Sequence, residues 1–515
     1  MALLRSVATV GGYTLISRVL GFVREMLTAV FLGAGPTADA FFVALRLPNM
    51  FRSLFAEGAF SAAFVPIFAG KIAEEGRENA RRFAEDALAV LLAALLVFLL
   101  LGEVFAPFIL DVIAPGFRHD PEKFATAVDL TRIMFPYLVF MSLVALQGGV
   151  LNSLERFAAT AVTPVLLNIF LIAALTLVRP VTGEALAWAV SAAGLAQFLW
   201  LMVSCYQAGL PLALPRPRLT PEVRRLLRIM LPGVFGAGVT QVNLVVSTAI
   251  ASLLPTGAVS YLNYADRLNQ LPLAVVGIAV GTAILPPISR QVRLGDHGGA
   301  AETQNRGLEY ALLLTLPAAV ALGVAGLPML EVLFQHGKFS AADASATAPA
   351  LAAYAAGLPA FVLIKVLAPG FFARQDTKTP VKIGAFTVAV NIALTLGLGL
   401  ALGFAHVGVA LATSLAGWTN ALLLGFILQR RRHFALDRRA RRNLPRIAVA
   451  AIGMGALLLL LERLLAPALA GPFVGRLVAL TVLVGGGLAG FAVLALAFGV
   501  VEWRDLLRRL RRQAA

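Results

Sequence analysis

Arginines and carboxylates recur inside apolar stretches of this chain, where neither belongs if lipid surrounds them. The segment TLISRVLGFVRE (14–25) carries Arg18, Arg24 and Glu25, and the next apolar run carries Asp39, Arg46 and Arg52. In the second half, NYADRLNQLP (263–272) adds Asp266, Arg267 and Gln270. A charge at the bilayer centre costs about 2.5–3.5 kcal/mol on insertion scales. These groups must therefore line a hydrated cavity or pair with one another. Convergent guanidinium forks suit an anion, above all a phosphate or diphosphate, because their N–H geometry matches phosphate oxygens. A carrier of cations would be rich in intramembrane acids instead.

Some pairing is available within single helices. Arg18 and Glu25 stand seven residues apart, on one helical face, as do Asp39 and Arg46. Two readings of Arg46 therefore stand side by side: an ion pair with Asp39, or a charge near the substrate. Arg18 and Arg24 are six apart, about 240° around an ideal helix and about 9 Å along it. A straight helix splays them, unless Gly21 permits a bend or a close helix contact. The expected substrate-facing set is Arg18, Arg24, Arg52 and Arg267. Glu25, Asp39, Arg46, Asp266 and Gln270 are the expected supporting or gating charges. Glu57 reads as a solvated helix end, and Arg132 and Lys365 as side chains that snorkel or satisfy neighbouring carbonyls.

The elements that position these residues follow from composition. The chain has 515 residues, 59% hydrophobic and 14% charged, against about 25% charged in soluble domains. Apolar runs of about 20 residues recur from end to end, as helical spanning requires; the alternating segments of about 10 residues that barrel strands need are not seen. The pattern predicts an all-α polytopic membrane protein of about 14 transmembrane helices. They lie near 9–31, 38–67, 83–114, 125–151, 158–178, 185–208, 225–254, 258–289, 303–326, 343–368, 380–402, 406–429, 444–467 and 474–500. Arg18 interrupts any signal-peptide core, so the first helix is expected to be retained.

The net charge of +16 sits in loops between spans, which speaks for topology rather than nucleic acid. Alternate loops together with both termini hold about 30 Lys and Arg, the other loops about six, so the first set is expected on the cytoplasmic side. The densest run, QRRRHFALDRRARRNLPR (429–446), reads as an anchor on anionic membrane lipids.

A weak internal repeat relates RFAEDAL (82–88) to RGLEYAL (306–312), and AFVPIFAGK (63–71) to AILPPISRQ (283–291). LNSLERFAATAVTP (151–164) lines up loosely with FARQDTKTP (372–380). Six spans per copy keep both copies in one orientation, a parallel repeat typical of transporters. The expected organisation is two pseudo-symmetric six-helix lobes, 1–208 and 209–430, followed by 431–515, which holds the basic loop, two C-terminal helices and a basic tail. One chain then supplies the whole pathway, so a monomer is expected.

No enzyme site stands out. The five histidines lie far apart at loops or helix ends, and no H-E-x-x-H, G-x-S-x-G or Walker loop occurs. GAGPTADA (33–40) joins two spans and follows no strand, so it is a turn rather than a nucleotide fingerprint. The single cysteine, Cys205, excludes an internal disulfide and reads as a small buried hydrophobe.

The strings SRVLGFVRE, GAGPTADAFFVALRLPNMFRSLFAEGAFSAAFVPIF, YADRLNQLP, GTAILPPISR, FQHGKFSAADA and KVLAPGFFARQDTKTPVKI closely resemble the MurJ/MviN family of bacterial lipid II flippases. The resemblance runs over nearly the whole chain and is weakest in the last two helices. It implies two six-helix lobes like those of multidrug/oligosaccharidyl-lipid/polysaccharide exporters, plus two further helices, in the bacterial inner membrane with both termini cytoplasmic. It also implies alternating access, a central cationic cavity for the diphosphate headgroup, and a groove at the last two helices for the polyprenyl tail. By position, the family's functional arginines match Arg18, Arg24, Arg52 and Arg267, and its acidic position in the second helix matches Asp39. Two positions depart from relatives. Gln270 stands where many have glutamate, which puts an ion-pair or proton role there in doubt. The helices near 225–254, 380–402 and 406–429 lack acids, which speaks against the sodium site of some relatives, with Asn391 its one weak candidate.

The resemblance implies lipid II as partner, contacts with cell-wall synthesis machinery, and no cofactor, with transport coupled to membrane potential or a monovalent ion. The alternatives at this stage are an exporter of another polyprenyl-diphosphate glycan, a cation-coupled multidrug antiporter of the same superfold, and a membrane glycosyltransferase. The arginines do not separate the first from a lipid II flippase. The antiporter predicts intramembrane acids, and the transferase a sizeable extramembrane domain for which the loops leave little room.

Overall fold

A computed structural model describes the backbone of residues 2–53 and 60–500; side chains of 2–8, 51, 52, 234–237, 239, 240, 278, 279 and 282 lie outside the description. Every element among the described residues is helical. In order they are α1 (Ala2–Leu32), α2 (Pro36–Arg52), α3 (Phe60–Ile113), α4 (Pro121–Met134), α5 (Pro136–Ser153), α6 (Phe157–Leu177), α7 (Gly183–Gln207) and α8 (Pro221–Ser252). Then follow α9 (Ala258–Arg293), α10 (His297–Val324), α11 (Gly326–Leu333), α12 (Ala341–Phe372), α13 (Lys378–Leu394), α14 (Ala405–Arg430), α15 (Arg438–Leu469) and α16 (Phe473–Ala497).

Ten helical segments are long and apolar enough to cross a membrane, with α4 and α5 counted as one.

The helix starts are written locally. Thr220, Asp296 and Asp437 each accept a backbone N–H of the first turn, and Ser340 with Asp343 closes a reciprocal capping box at α12. Asp120 caps α4 by accepting the Lys123 amide at 3.1 Å, which fixes where the Lys123 side chain departs.

The spans expected over 125–151 and 380–402 fall on the single apolar spans Pro121–Ser153 and Lys378–Ala401, and three local features depart from the sequence expectation. The connection expected between 67 and 83 is helical on both sides of a kink: within α3 two helices, Phe60–Glu75 and Arg77–Ile113, meet at Gly76 (φ 83, ψ 173), a conformation a Cβ disfavours. The span expected over 125–151 is one span, Pro121–Ser153, interrupted at Pro136, which lacks the amide that would continue the α4 ladder. The span expected over 380–402 ends in a π-helical stretch, Thr395–Ala401.

The chain forms two compact units, Met1–Ser260 with Gly337–Phe339, and Tyr261–His336 with Ser340–Ala515. In the first, α1 packs on α6, α2 on α4, α3 on α5 and α8, and α7 on α5 and α6. Its core includes the stacked rings of Phe60, Phe64, Phe68 and Phe83. The 3-10 turn Pro115–His119 lies so close to the end of α8 that a Cβ on Gly116 would meet the Ser252 carbonyl at 2.1 Å. In the second unit α12 packs between α10 and α14, and α15 pairs with α16 through Ile447, Met454, Leu458, Leu480 and Leu483. Leu96, Val97, Leu100, Val104, Phe105 and Phe108 stand exposed on α3, an apolar face suited to lipid.

Candidate functional site

The first polar cluster sits where α1 meets α6. α1 is continuous, so Gly21 serves close packing rather than a bend: its Cβ position lies 3.6 Å from Asn168 of α6. Asn168 donates to the Ser17 carbonyl at 3.0 Å and accepts from Arg24 Nη1 at 3.0 Å. Arg24 Nη2 donates to Glu25 Oε1 at 2.6 Å, with the two side chains 12% and 4% exposed. Glu25 is thus held by its neighbour and not, as the spacing suggested, by Arg18. Of the five N–H groups of Arg24, two have acceptors among the described residues, leaving three for a ligand or water. Arg18 is exposed, and among the described residues it makes no hydrogen bond or ion pair. Leu15, Ile16 and Val19 around it are exposed apolar groups.

The second cluster is closed. Asp39, 1% exposed, accepts from Lys123 Nζ at 2.9 Å, Gly257 N at 2.8 Å, Ser260 N at 2.9 Å and Ser260 Oγ at 2.6 Å. Lys123 also lies 4.2 Å from the Phe117 ring centroid. The carboxylate is fully engaged, and its counter-charge is Lys123, not Arg46. Arg46 is half-buried and lines a small cavity of about 10 Å³ with Ile113 and Thr248. Lys123, Asn168 and Ser260 were all missed in the sequence, where no spacing ties them to the acid or the arginine they serve.

In the second unit α9 carries Asp266, half-buried Arg267 and exposed Gln270. Gln270 donates to Asp266 Oδ2 at 2.5 Å, an i, i+4 contact that takes up a carboxylate oxygen beside Arg267. Asn391 is buried on α13. No group of three or more His, Cys, Asp or Glu able to hold a metal occurs among the described residues. Arg132 Nε donates to the Glu103 carbonyl at 3.2 Å, and Lys365 lays its stem against Gly277 and Gly281. Arg52 ends α2 with its side chain outside the described residues, and Glu57 lies outside them altogether.

The basic segment 429–446 is partly tethered. Asp437 pairs with Arg306, Arg439 reaches Glu309 at 3.4 Å, and Arg431 pairs with Asp376 at 2.5 Å. The Thr379 hydroxyl and amide, then Arg431, hold the Asp376 carboxyl well below the ordinary carboxylate range. Arg430, Arg432, Arg438, Arg441 and Arg442 remain exposed.

Solved structures share this all-helical fold. A structure titled as a multidrug resistance MATE family transporter of the MOP superfamily, inward-facing, aligns with TM-score 0.67 at 13% identity, over 81% of this chain and 94% of that one. One titled "Lipid II flippase MurJ, inward closed conformation" aligns with TM-score 0.78 at 24% identity, over 97% of this chain and 99% of that one. The family profile described as "Lipid II flippase MurJ" matches residues 28–479. A Rhizobium meliloti protein named "Probable lipid II flippase MurJ" is 46% identical over 100% of this chain and 97% of its own length. A Burkholderia cenocepacia protein named "Lipid II flippase MurJ" is 42% identical over 84% of each chain. The chain belongs to the MurJ family, whose members are named as transporters rather than enzymes.

Proposed function

We propose that this protein carries lipid II, the polyprenyl-diphosphate-linked disaccharide-pentapeptide, from the inner to the outer leaflet of the bacterial cytoplasmic membrane. Both termini face the cytoplasm, and a single chain suffices. Relatives named as lipid II flippases support the substrate, and MATE-type relatives captured in inward-facing and outward-facing states support alternating access. The observation that carries a headgroup role is on α1. Arg18 is exposed and unpaired among the described residues, about 1.7 helical turns from Arg24, which keeps three N–H groups in hand. Arg18, Arg24, Arg52 and Arg267 neutralise the diphosphate while the tail stays in lipid. An anionic headgroup leaving an inside-negative cell gains about 2.3 kcal/mol per charge per 100 mV, which biases export without ATP. The exposed arginines of 429–446 rest on anionic lipid headgroups.

The test is complementation in bacteria depleted of their own lipid II flippase, with externally accessible lipid II assayed and membrane levels checked. Wild type restores flipping, whereas Arg18→Ala, Arg24→Ala, Arg52→Ala and Arg267→Ala do not. A wild type that inserts while lipid II stays inside would redirect the substrate to another polyprenyl-diphosphate glycan. Four active variants would remove the arginines from the headgroup site. Flipping in vesicles that is unchanged when the potential is collapsed would exclude it as the driving force.

A further inference from the structure

Two turns, α5–α6 and α12–α13, each place a non-glycine residue in the left-handed region: Glu155 at φ 59° and Gln375 at φ 60°. They lie 220 residues apart, the offset of the strings at 63–71 and 283–291 in the internal repeat. The same bend is therefore used twice, and the two copies are finished differently. In the second copy the adjacent acid, Asp376, is consumed internally by the Thr379 amide and hydroxyl and by Arg431. In the first copy the adjacent pair is Glu155 and Arg156, both exposed, and among the described residues neither side chain makes a hydrogen bond or ion pair. Only their amides are used, Glu155 N donating to Asn152 O at 3.1 Å and Arg156 N to Leu151 O at 2.9 Å.

These two free charges stand on the rim of a cleft of about 600 Å³ formed by α1, α6 and α7. Ligand sites commonly enclose about 300–1,000 Å³. The turn joins two membrane spans, Pro121–Ser153 and Phe157–Leu177, so the cleft opens at a membrane surface. Its wall includes Val162, Trp200 and Val203, and Tyr13 stands on α1 with no hydrogen-bond partner among the described residues. Trp200 is fixed by donating its indole N–H to the Ala159 carbonyl at 3.0 Å. Aromatic side chains with a polar edge are the residues that settle at lipid headgroup level.

The geometry points to a phospholipid site whose occupant carries a zwitterionic headgroup with a primary ammonium, as in an ethanolamine phospholipid. Arg156 takes the phosphate, Glu155 the ammonium, and Val162, Trp200 and Val203 the upper acyl chain. An anionic lipid such as phosphatidylglycerol would satisfy Arg156 but repel Glu155. A choline lipid would attract Glu155 but offer it no N–H. The left-handed backbone at Glu155 fits this reading: glycine would make the bend at lower cost, so what glutamate adds there is its side chain.

The test is native mass spectrometry of the full chain in detergent with equimolar phosphatidylethanolamine, phosphatidylcholine and phosphatidylglycerol, alongside thermal midpoints. Wild type retains the ethanolamine lipid about tenfold over the other two, the worth of about one charge-assisted hydrogen bond. Glu155→Gln brings ethanolamine down to the choline level. Arg156→Gln lowers all three, and Val203→Trp does so by filling the cleft. Glu155→Gly separates backbone from side chain, because it raises the thermal midpoint while abolishing the ethanolamine preference. A wild type that retains the three lipids equally, or phosphatidylglycerol best, overturns the proposal. So does a preference that survives in Glu155→Gln and Val203→Trp alike.

Discussion

The Asp39 cluster and the Arg24 cluster lie in the same unit and use the same chemistry, an acid and a base brought out of water, yet they end in opposite states. Asp39 receives four hydrogen bonds from three residues and is closed on every side. Arg24 has one carboxylate and one amide oxygen, and Arg18 nearby has neither. The first arrangement uses up its charges in joining α2, α4 and the α8–α9 connection. The second leaves positive charge unspent. Burial of a charge alone therefore does not separate the two clusters; unfilled hydrogen-bonding capacity beside it does.

The largest effect expected from this contrast is at the closed cluster. Lys123→Met strands the Asp39 carboxylate, and Asp39→Ala strands the ammonium; each should lower stability by about 3–5 kcal/mol, the cost of breaking one side of a buried pair. Thermal unfolding of the purified protein reads this directly, and variants as stable as wild type would erase the contrast. Arg24→Ala should cost less, about 1–3 kcal/mol, because Glu25 is left buried but Asn168 keeps its bond to Ser17. It should also stop transport. Arg18→Ala sharpens the comparison most. Its stability should stay within about 0.5 kcal/mol of wild type, as for other exposed positions, while complementation is lost. A stability loss as large as that of Lys123→Met would recast Arg18 as structural.

The smallest effect is at the Asp376 clasp in the second unit. Its folded carboxyl titrates below the ordinary value of 3.8, so its stabilisation is fully present above that value and lost only as pH falls through the depressed one. Hydrogen exchange in the α12–α13 turn should then be governed by the clasp equally at pH 7 and pH 5. Arg431→Gln should speed exchange at both. A clasp that loosens between pH 7 and pH 5 would contradict the assignment.

The helices and their charged residues were legible in sequence because lipid penalises each arginine individually, and a penalised residue announces itself. The partners were not. Lys123 is 84 residues from Asp39, and Asn168 is 144 from Arg24. Helical spacing pointed instead to Arg18–Glu25 and Asp39–Arg46. Seven residues span about 10.5 Å along a helix, far for an acid to reach, so the adjacent Arg24 took Glu25 and a tertiary neighbour, Lys123, took Asp39. The break at Pro136 follows a rule readable in advance. The direct meeting of two helices at Gly76 does not, since a glycine in a run of helix formers reads equally well as a loop.

That meeting point has a mechanical consequence. The two arms of α3, Phe60–Glu75 and Arg77–Ile113, share one joint at Gly76, where a Cβ would meet nothing within 4 Å. Lys71, on one side of the joint, bonds Glu75 and reaches Glu222 of α8 at 3.5 Å; Arg81, on the other, bonds Glu85, which also accepts the Ala213 amide. The joint is thus a bare pivot with a brace on each arm. The angle between the arms is set by one pair of torsions rather than by a length of loose chain, so one arm can swing while the brace on the other stays in place.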